Sequence, residues 1–129
     1  MRVYNKWHSI IKKELKKMNL THPQFVVLAS LAYLSQNGNE ITQIMISKLA
    51  GIDVMTVSQI LNLLEKNDFV KRKEHSRDTR AKAVILNKKG EEVLQKAVPL
   101  VEQIDEIFFE KLDTDEKQFK HFLARLNEE

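Results

Sequence analysis

Cysteine is absent from the 129 residues, which excludes a disulfide framework, a thiolate zinc site and redox sensing through the chain's own thiols. Only three Gly and two Pro occur, too little punctuation for a many-stranded sandwich or barrel, so helices are favoured. Long hydrophobic runs are missing as well. The apolar stretch from Phe25 to Leu34 falls well short of the roughly 20 residues that a membrane span needs. The basic N-terminus has Ile10-Ile11 as its longest apolar run, too short for the core of a signal peptide. A cytoplasmic protein with no membrane association is expected. The length fits one domain, large enough to bury a core without metal or disulfide staples.

Charge of one sign is also scarce: the formal net charge is +3, although 30% of residues are charged. Its distribution says more. Residues 1–20 carry six basic and one acidic group, and residues 71–90 carry eight and two. Residues 101–129 reverse the balance, with four basic and nine acidic groups. A dense basic patch beside an acidic tail fits a polyanion partner, the alternative being a solvated charged face.

Tyr4, Trp7, Ile11, Leu15 and Met18 recur at steps of three and four, one stripe of an amphipathic helix. Thr21 and Gln24 have capping-box spacing for a second helix, and Pro23 in its first turn sacrifices no helix hydrogen bond. The body of that helix, Phe25 to Leu34, is apolar almost all round and belongs in the core. Thr42 caps a short helix through Ala50, which Gly51 ends, and Asp53 caps another running to about Lys66. In the latter Val57, Ile60, Leu61 and Leu64 form the buried stripe. Two capped helices meeting at Gly51-Ile52-Asp53 make a helix-turn-helix pattern.

From Phe69 the pattern changes. Phe69 to Glu74 and Ala83 to Leu86 read as two strands of a hairpin around the basic loop His75 to Lys82. A lone hairpin is marginal in water, so it must pack on the helices. A long helix follows to Leu112, with Pro99 expected to kink it, and Asp113-Thr114-Asp115 offers caps for a last one bearing Phe119, Phe122, Leu123 and Leu126. The expected fold is mainly α (α+β): a winged helix-turn-helix core over residues 20–87 with a two-stranded β wing. The terminal segments, 1–19 and 88–129, carry more apolar surface than so small a core covers, which fits dimerisation helices; intramolecular packing in a monomer is the alternative.

The helix from Asp53 leaves Met55, Thr56, Ser58, Gln59 and Asn62 on its other faces. Short neutral groups of this kind suit base edges in the major groove, although an ordinary solvated helix face would look similar. Arg77 and Arg80 flank the hairpin tip, and Lys71, Arg72, Lys73 and Lys82 line its strands. Arginine suits a narrow minor groove and lysine a phosphate. Asp78 fits as the group that orients a neighbouring arginine, or as half of a weak surface ion pair.

The run Thr56 to Lys66 with Phe69-Val70-Lys71-Arg72 resembles the recognition helix and first wing strand of the MarR (multiple antibiotic resistance regulator) family. Asp78-Thr79-Arg80-Ala81-Lys82 and Leu86-Asn87-Lys88-Lys89-Gly90 resemble its wing signature, and Leu20-Thr21 with Gln24-Phe25 and Leu28 its second-helix opening. The resemblance implies a homodimeric regulator, most often a repressor, that binds a pseudo-palindromic operator in double-stranded DNA and is relieved by a small-molecule effector or other signal. It assigns Thr56, Ser58, Gln59 and Asn62 to the major groove and Asp78 with Arg80 to the wing, Arg80 reaching the minor groove. Met55, Lys66, Arg72, Arg77 and Lys82 complete the candidate DNA-contacting set. Two departures stand out: Asn67-Asp68 replaces the family's usual Gly, and the first helix begins almost at Met1.

Trp7, Tyr33, Phe108 and Phe109 are candidates for an effector pocket, with plain core packing as the alternative. His8, His22, His75 and His121 include no i, i+4 pair, so no metal site or cofactor is expected. No phosphate loop, nucleophile elbow or triad-like set occurs, so an enzyme is not expected. The competing function is a winged-helix protein-interaction module that does not bind DNA.

Overall fold

Thr21 and Gln24 form the capping box that their spacing predicts. Thr21 N donates to Gln24 Oε1 at 3.0 Å, and Gln24 N donates to Thr21 Oγ1 at 3.2 Å. The computed structural model describes residues 1–78 and 81–128. In it, helix α1 (Arg2–Lys16) leads through a tight turn into α2 (His22–Leu34). Ile11 and Leu15 of the α1 stripe are fully buried, whereas Tyr4 stays half exposed. Helix α2 buries Phe25, Val27, Leu28 and Leu31 and packs against three later helices and the sheet, as its nearly all-round apolar character requires.

Thr42 and Gly51 bound α3 (Gln43–Ala50), and Asp53 caps α4 (Val54–Lys66). Thr42 Oγ1 accepts from Met45 N, and Gly51 takes the left-handed conformation with φ 71°. The chain turns through 110° between α3 and α4, within the usual helix-turn-helix range. Ser47 Oγ donates to the Ile52 carbonyl at 2.5 Å and pins that turn.

The hairpin consists of β2 (Val70–Glu74) and β3 (Lys82–Leu86), paired from Val70 with Leu86 to Glu74 with Lys82. It is not a two-stranded unit. A short β1 (Ile41–Thr42) joins its other edge, giving an antiparallel sheet in the order β1-β3-β2. Two residues carry no readable period, and Thr42 is also the cap of α3, so the cap signal conceals the strand. Val84 and Ala83, which pair with β1, are buried in the core.

Helix α5 (Lys88–Phe109) continues through Pro99 and ends three residues earlier than the apolar pattern implies. A 3-10 segment, Glu110–Asp115, follows, with Asp113 at φ 51°, and then α6 (Glu116–Leu126). Asp115 occupies the N-cap of α6 without a side-chain capping bond, so the predicted caps are not used. No residue of α6 is buried, and Phe122, Leu123 and Leu126 stay exposed. Among the described residues no single helix is long and apolar enough to cross a membrane.

Asn67 and Asp68 make the turn that leaves α4, with Asp68 at φ 64°. A side chain that tolerates the left-handed region stands where glycine would be the simplest solution. The start of α5 holds this turn in place. Asn87 Nδ2 donates to Asp68, Lys89 Nζ donates to the Asn67 carbonyl at 3.0 Å, and Asn87 N donates to the Phe69 carbonyl at 2.9 Å.

Candidate nucleic-acid interface

The buried stripe of α4, Val57, Ile60, Leu61 and Leu64, fixes which face the helix turns outward. Met55, Gln59, Asn62 and Lys66 share the exposed face, and Met55 is 73% exposed. Thr56 and Ser58 are half-buried at its margin. Thr56 also serves the cap. Its backbone N donates to Asp53 Oδ1 at 2.9 Å and its hydroxyl to Asp53 Oδ2 at 2.6 Å. These two bonds lead the causes that hold the Asp53 carboxyl below the ordinary carboxylate range. The Thr56 hydroxyl proton is thus committed within the protein, leaving its methyl and oxygen lone pairs for a partner.

Arg72 on β2 turns inward, its side chain only 12% exposed. Its guanidinium donates to Gln43 Oε1 on α3 at 3.0 Å, to Asn62 Oδ1 on α4, and to Glu65 Oε1 at 3.1 Å. Glu65 Oε2 accepts from the Arg72 backbone N at 3.1 Å, so one carboxylate grips both ends of the residue. The side-chain bond from Arg72 is the leading reason why the Glu65 carboxyl titrates below its ordinary range. Arg72 Nε is buried without a partner among the described residues. The arginine therefore links α3, α4 and the wing strand. Gln43 and Glu65 carry no signal of this role in the sequence, because only the meeting of α3, α4 and β2 gives it to them.

The loop of the wing is tied to the loop before β1. Ser76 N and Oγ both donate to the Glu40 carboxylate, the backbone bond being 3.0 Å. These bonds, the hydroxyl one first, draw the Glu40 carboxyl below its ordinary range. His75 Nδ1 accepts from Arg77 N at 3.1 Å and Asp78 N at 3.3 Å, and its Nε2 lies 3.7 Å from Glu40. Arg77, Asp78 and Lys82 are exposed around this turn, while Thr79 and Arg80 lie outside the described residues. Lys71 and Lys73 are exposed on β2 as well, so the wing adds cations beside the outer face of α4.

The four aromatic candidates do not share one pocket. Tyr33 lines a groove of about 1030 Å³ between α2, the sheet and α5, together with Glu40, Lys73, Val98 and Glu102. Trp7 lies elsewhere and ties α1 to α5 by donating Nε1–H to Asp105 at 2.7 Å. Phe108 and Phe109 pack edge to face on each other, and Phe109 meets Phe119 of α6. Helical spacing shows which side of its own helix each ring occupies, but not which helix that side faces.

His8 and His22, fourteen positions apart, have ring centroids 5.3 Å apart, beside Tyr4 and Trp7. Among the described residues no group of three or more metal-ligating side chains is placed to hold an ion. Burial, and then the proximity of His8, lower the His22 pKa from the ordinary 6.5, while Asp105 opposes them. The neutral ring is therefore favoured in the folded state. Its contribution to stability is fully present above the ordinary value of 6.5 and is lost as pH falls through the lowered one. The thermal midpoint should drop as pH falls below the ordinary value of 6.5, and His22→Phe should flatten that dependence. An equal pH slope in the two proteins would contradict this assignment.

The profile of the ArnR1-like winged-helix domain family matches residues 16–104. The HTH-type transcriptional regulator YdcH of Bacillus subtilis (strain 168) is 35% identical over 103 residues, covering 80% of this chain and 70% of that protein. A mutant of MarR from Escherichia coli, solved with operator DNA, superimposes with a TM-score of 0.87 at 22% identity, covering 98% of this chain and 89% of that one. BpsR of Bordetella bronchiseptica, whose DNA binding is regulated by 6-hydroxynicotinic acid, gives a TM-score of 0.82 at 26% identity over 96% and 86% of the two chains.

Proposed function

Because the chain belongs to the ArnR1-like winged-helix domain family and is similar to an HTH-type transcriptional regulator, we propose that it acts as a MarR-type homodimeric repressor on a pseudo-palindromic operator. Residues 20–87 form the DNA-binding core, and residues 1–19 and 88–129 form the dimerisation helices of one unit. One observation carries this reading. The outer face of α4 bears polar, exposed side chains, and a basic wing lies beside it on the same sheet that braces α3.

Dimerisation is supported by the apolar side chains left uncovered on the terminal helices, Val3 and Ile10 on α1 and Phe122, Leu123 and Leu126 on α6. A second copy would remove them from water. In such a dimer the two α4 helices must enter successive major grooves roughly 34 Å apart. Relief follows if an effector binds better to a dimer with a different separation, and it extends only as far as that difference in affinity. The groove beside Tyr33 touches α2, α5 and the wing strands together, so a ligand there would meet both the dimer helices and the DNA-binding core. The regulation of BpsR by a small aromatic acid is a precedent for such control.

Selection from a random duplex pool tests the reading directly. The expected product is a two-fold symmetric sequence whose half-sites lie about one helical turn apart. Recovery of no sequence, with retention only on protein partners, would favour an interaction module without DNA binding.

A further inference from the structure

We infer that Arg72 sets the base preference of the recognition helix by holding the side-chain oxygen of Asn62 inward, so that Asn62 offers only its amide N–H groups and reads guanine rather than adenine. The inference rests on the reading that α4 enters the major groove, and it adds which base that helix selects.

A guanidinium group carries donors and no acceptor. Whatever amide meets it must therefore turn its oxygen toward it, and the orientation of Asn62 follows from chemistry alone. Arg72 donates to Asn62 Oδ1 and to Gln43 Oε1, and neither amide nitrogen has a protein partner among the described residues. Glu65, one turn along the same helix, holds the guanidinium through Oε1 and the Arg72 backbone N–H through Oε2. The clamp thus spans a strand and two helices and does not depend on one flexible side chain. Gln43, the first residue of α3, is half-buried and presents its nitrogen in the same way.

Unconstrained asparagine pairs with adenine by donating to N7 and accepting from the N6 amino group. With its oxygen turned toward Arg72 and its nitrogen toward the groove, Asn62 would set its own N–H against that amino group, donor against donor. Guanine presents two acceptors in the major groove, N7 and O6, and suits a group that only donates. The clamp therefore converts a side chain usually suited to adenine into a reader of guanine. Arg72 is a positioning residue here, acting on DNA through Asn62.

The test begins with the selected operator. Asn62→Ala should erase base preference at one position of each half-site, which locates the contact. At that position the wild-type protein should favour guanine over adenine by roughly 5- to 150-fold, the range for a good bidentate pair. Replacing that guanine by 7-deazaguanine removes the N7 acceptor and should weaken the wild-type protein but not Asn62→Ala. Arg72→Met, if its melting curve shows it folded, should lose the guanine preference or shift it to adenine. Wild-type preference for adenine at that position, or indifference to 7-deazaguanine, overturns the inference while leaving the operator reading intact. A folded Arg72→Met that keeps the full guanine preference overturns it too. If no operator is recovered at all, the DNA-binding reading fails and this inference falls with it.

Discussion

Gly90→Ala should destabilise the protein by about 1–3 kcal/mol, the range for overpacking a tight core, and Gly90→Val by more. Helix propensity points the other way. In an ordinary helix interior, alanine is about 1 kcal/mol better than glycine, so the sign of the measured change decides between the two effects. Gly90 lies in the first turn of α5 and is buried there. A Cβ on it would overlap the Phe69 carbonyl oxygen and lie 2.7 Å from Leu86 Cδ1. The carbonyl cannot withdraw easily, because it accepts the Asn87 N–H that closes the turn into α5. Glycine is needed for space here, not for backbone conformation. Urea unfolding followed by circular dichroism would give the change in midpoint, and a stabilised Gly90→Ala would refute the close approach. The effect is local: the same packing holds the Phe69 turn after α4 and the end of β3 against the start of α5.

Arg80→Ala should weaken operator binding by about 1–3 kcal/mol at fixed salt, the cost expected when a base-reading arginine is removed. The role comes from the wing signature Asp78-Thr79-Arg80, and Arg80 itself lies outside the described residues. The unfolding midpoint, measured alongside, shows that the loss of affinity is read on folded protein. Affinity titrations at several salt concentrations separate two roles for the side chain. If Arg80 neutralises a phosphate, the substitution lowers the salt slope by about one and weakens every sequence alike. If it enters the minor groove, the substitution weakens binding most where the groove is narrow, at A-tracts. Unchanged affinity would remove Arg80 from the interface.

Most of the fold is legible in the sequence because the signals for it are local. Thr21, Thr42 and Asp53 each cap a helix within three residues of themselves, and the stripe Val57, Ile60, Leu61, Leu64 needs only helical geometry to become a buried face. The outward face of α4 is the complement of that stripe and is legible for the same reason. The end of α5 is not, because the apolar pattern runs on through Leu112 while the chain passes into a 3-10 segment at Glu110. Nor is the meeting of His8 with His22, which depends on how α1 lies across α2.

Arg72 marks the division most clearly. By its position in a run of cations it reads as one more phosphate-binding group on the wing, and charge alone does not say otherwise. Its neighbours in space, Gln43 and Glu65, stand 29 and seven positions away, and they turn it into an internal brace. The helices, their caps, the buried stripes and the basic character of the wing follow from the order of residues, since they depend on short-range hydrogen bonds and on period. Which cations remain outside, which face of Asn62 is presented and where a glycine must leave room are settled only by folding, because each depends on groups that are distant along the chain and meet in space.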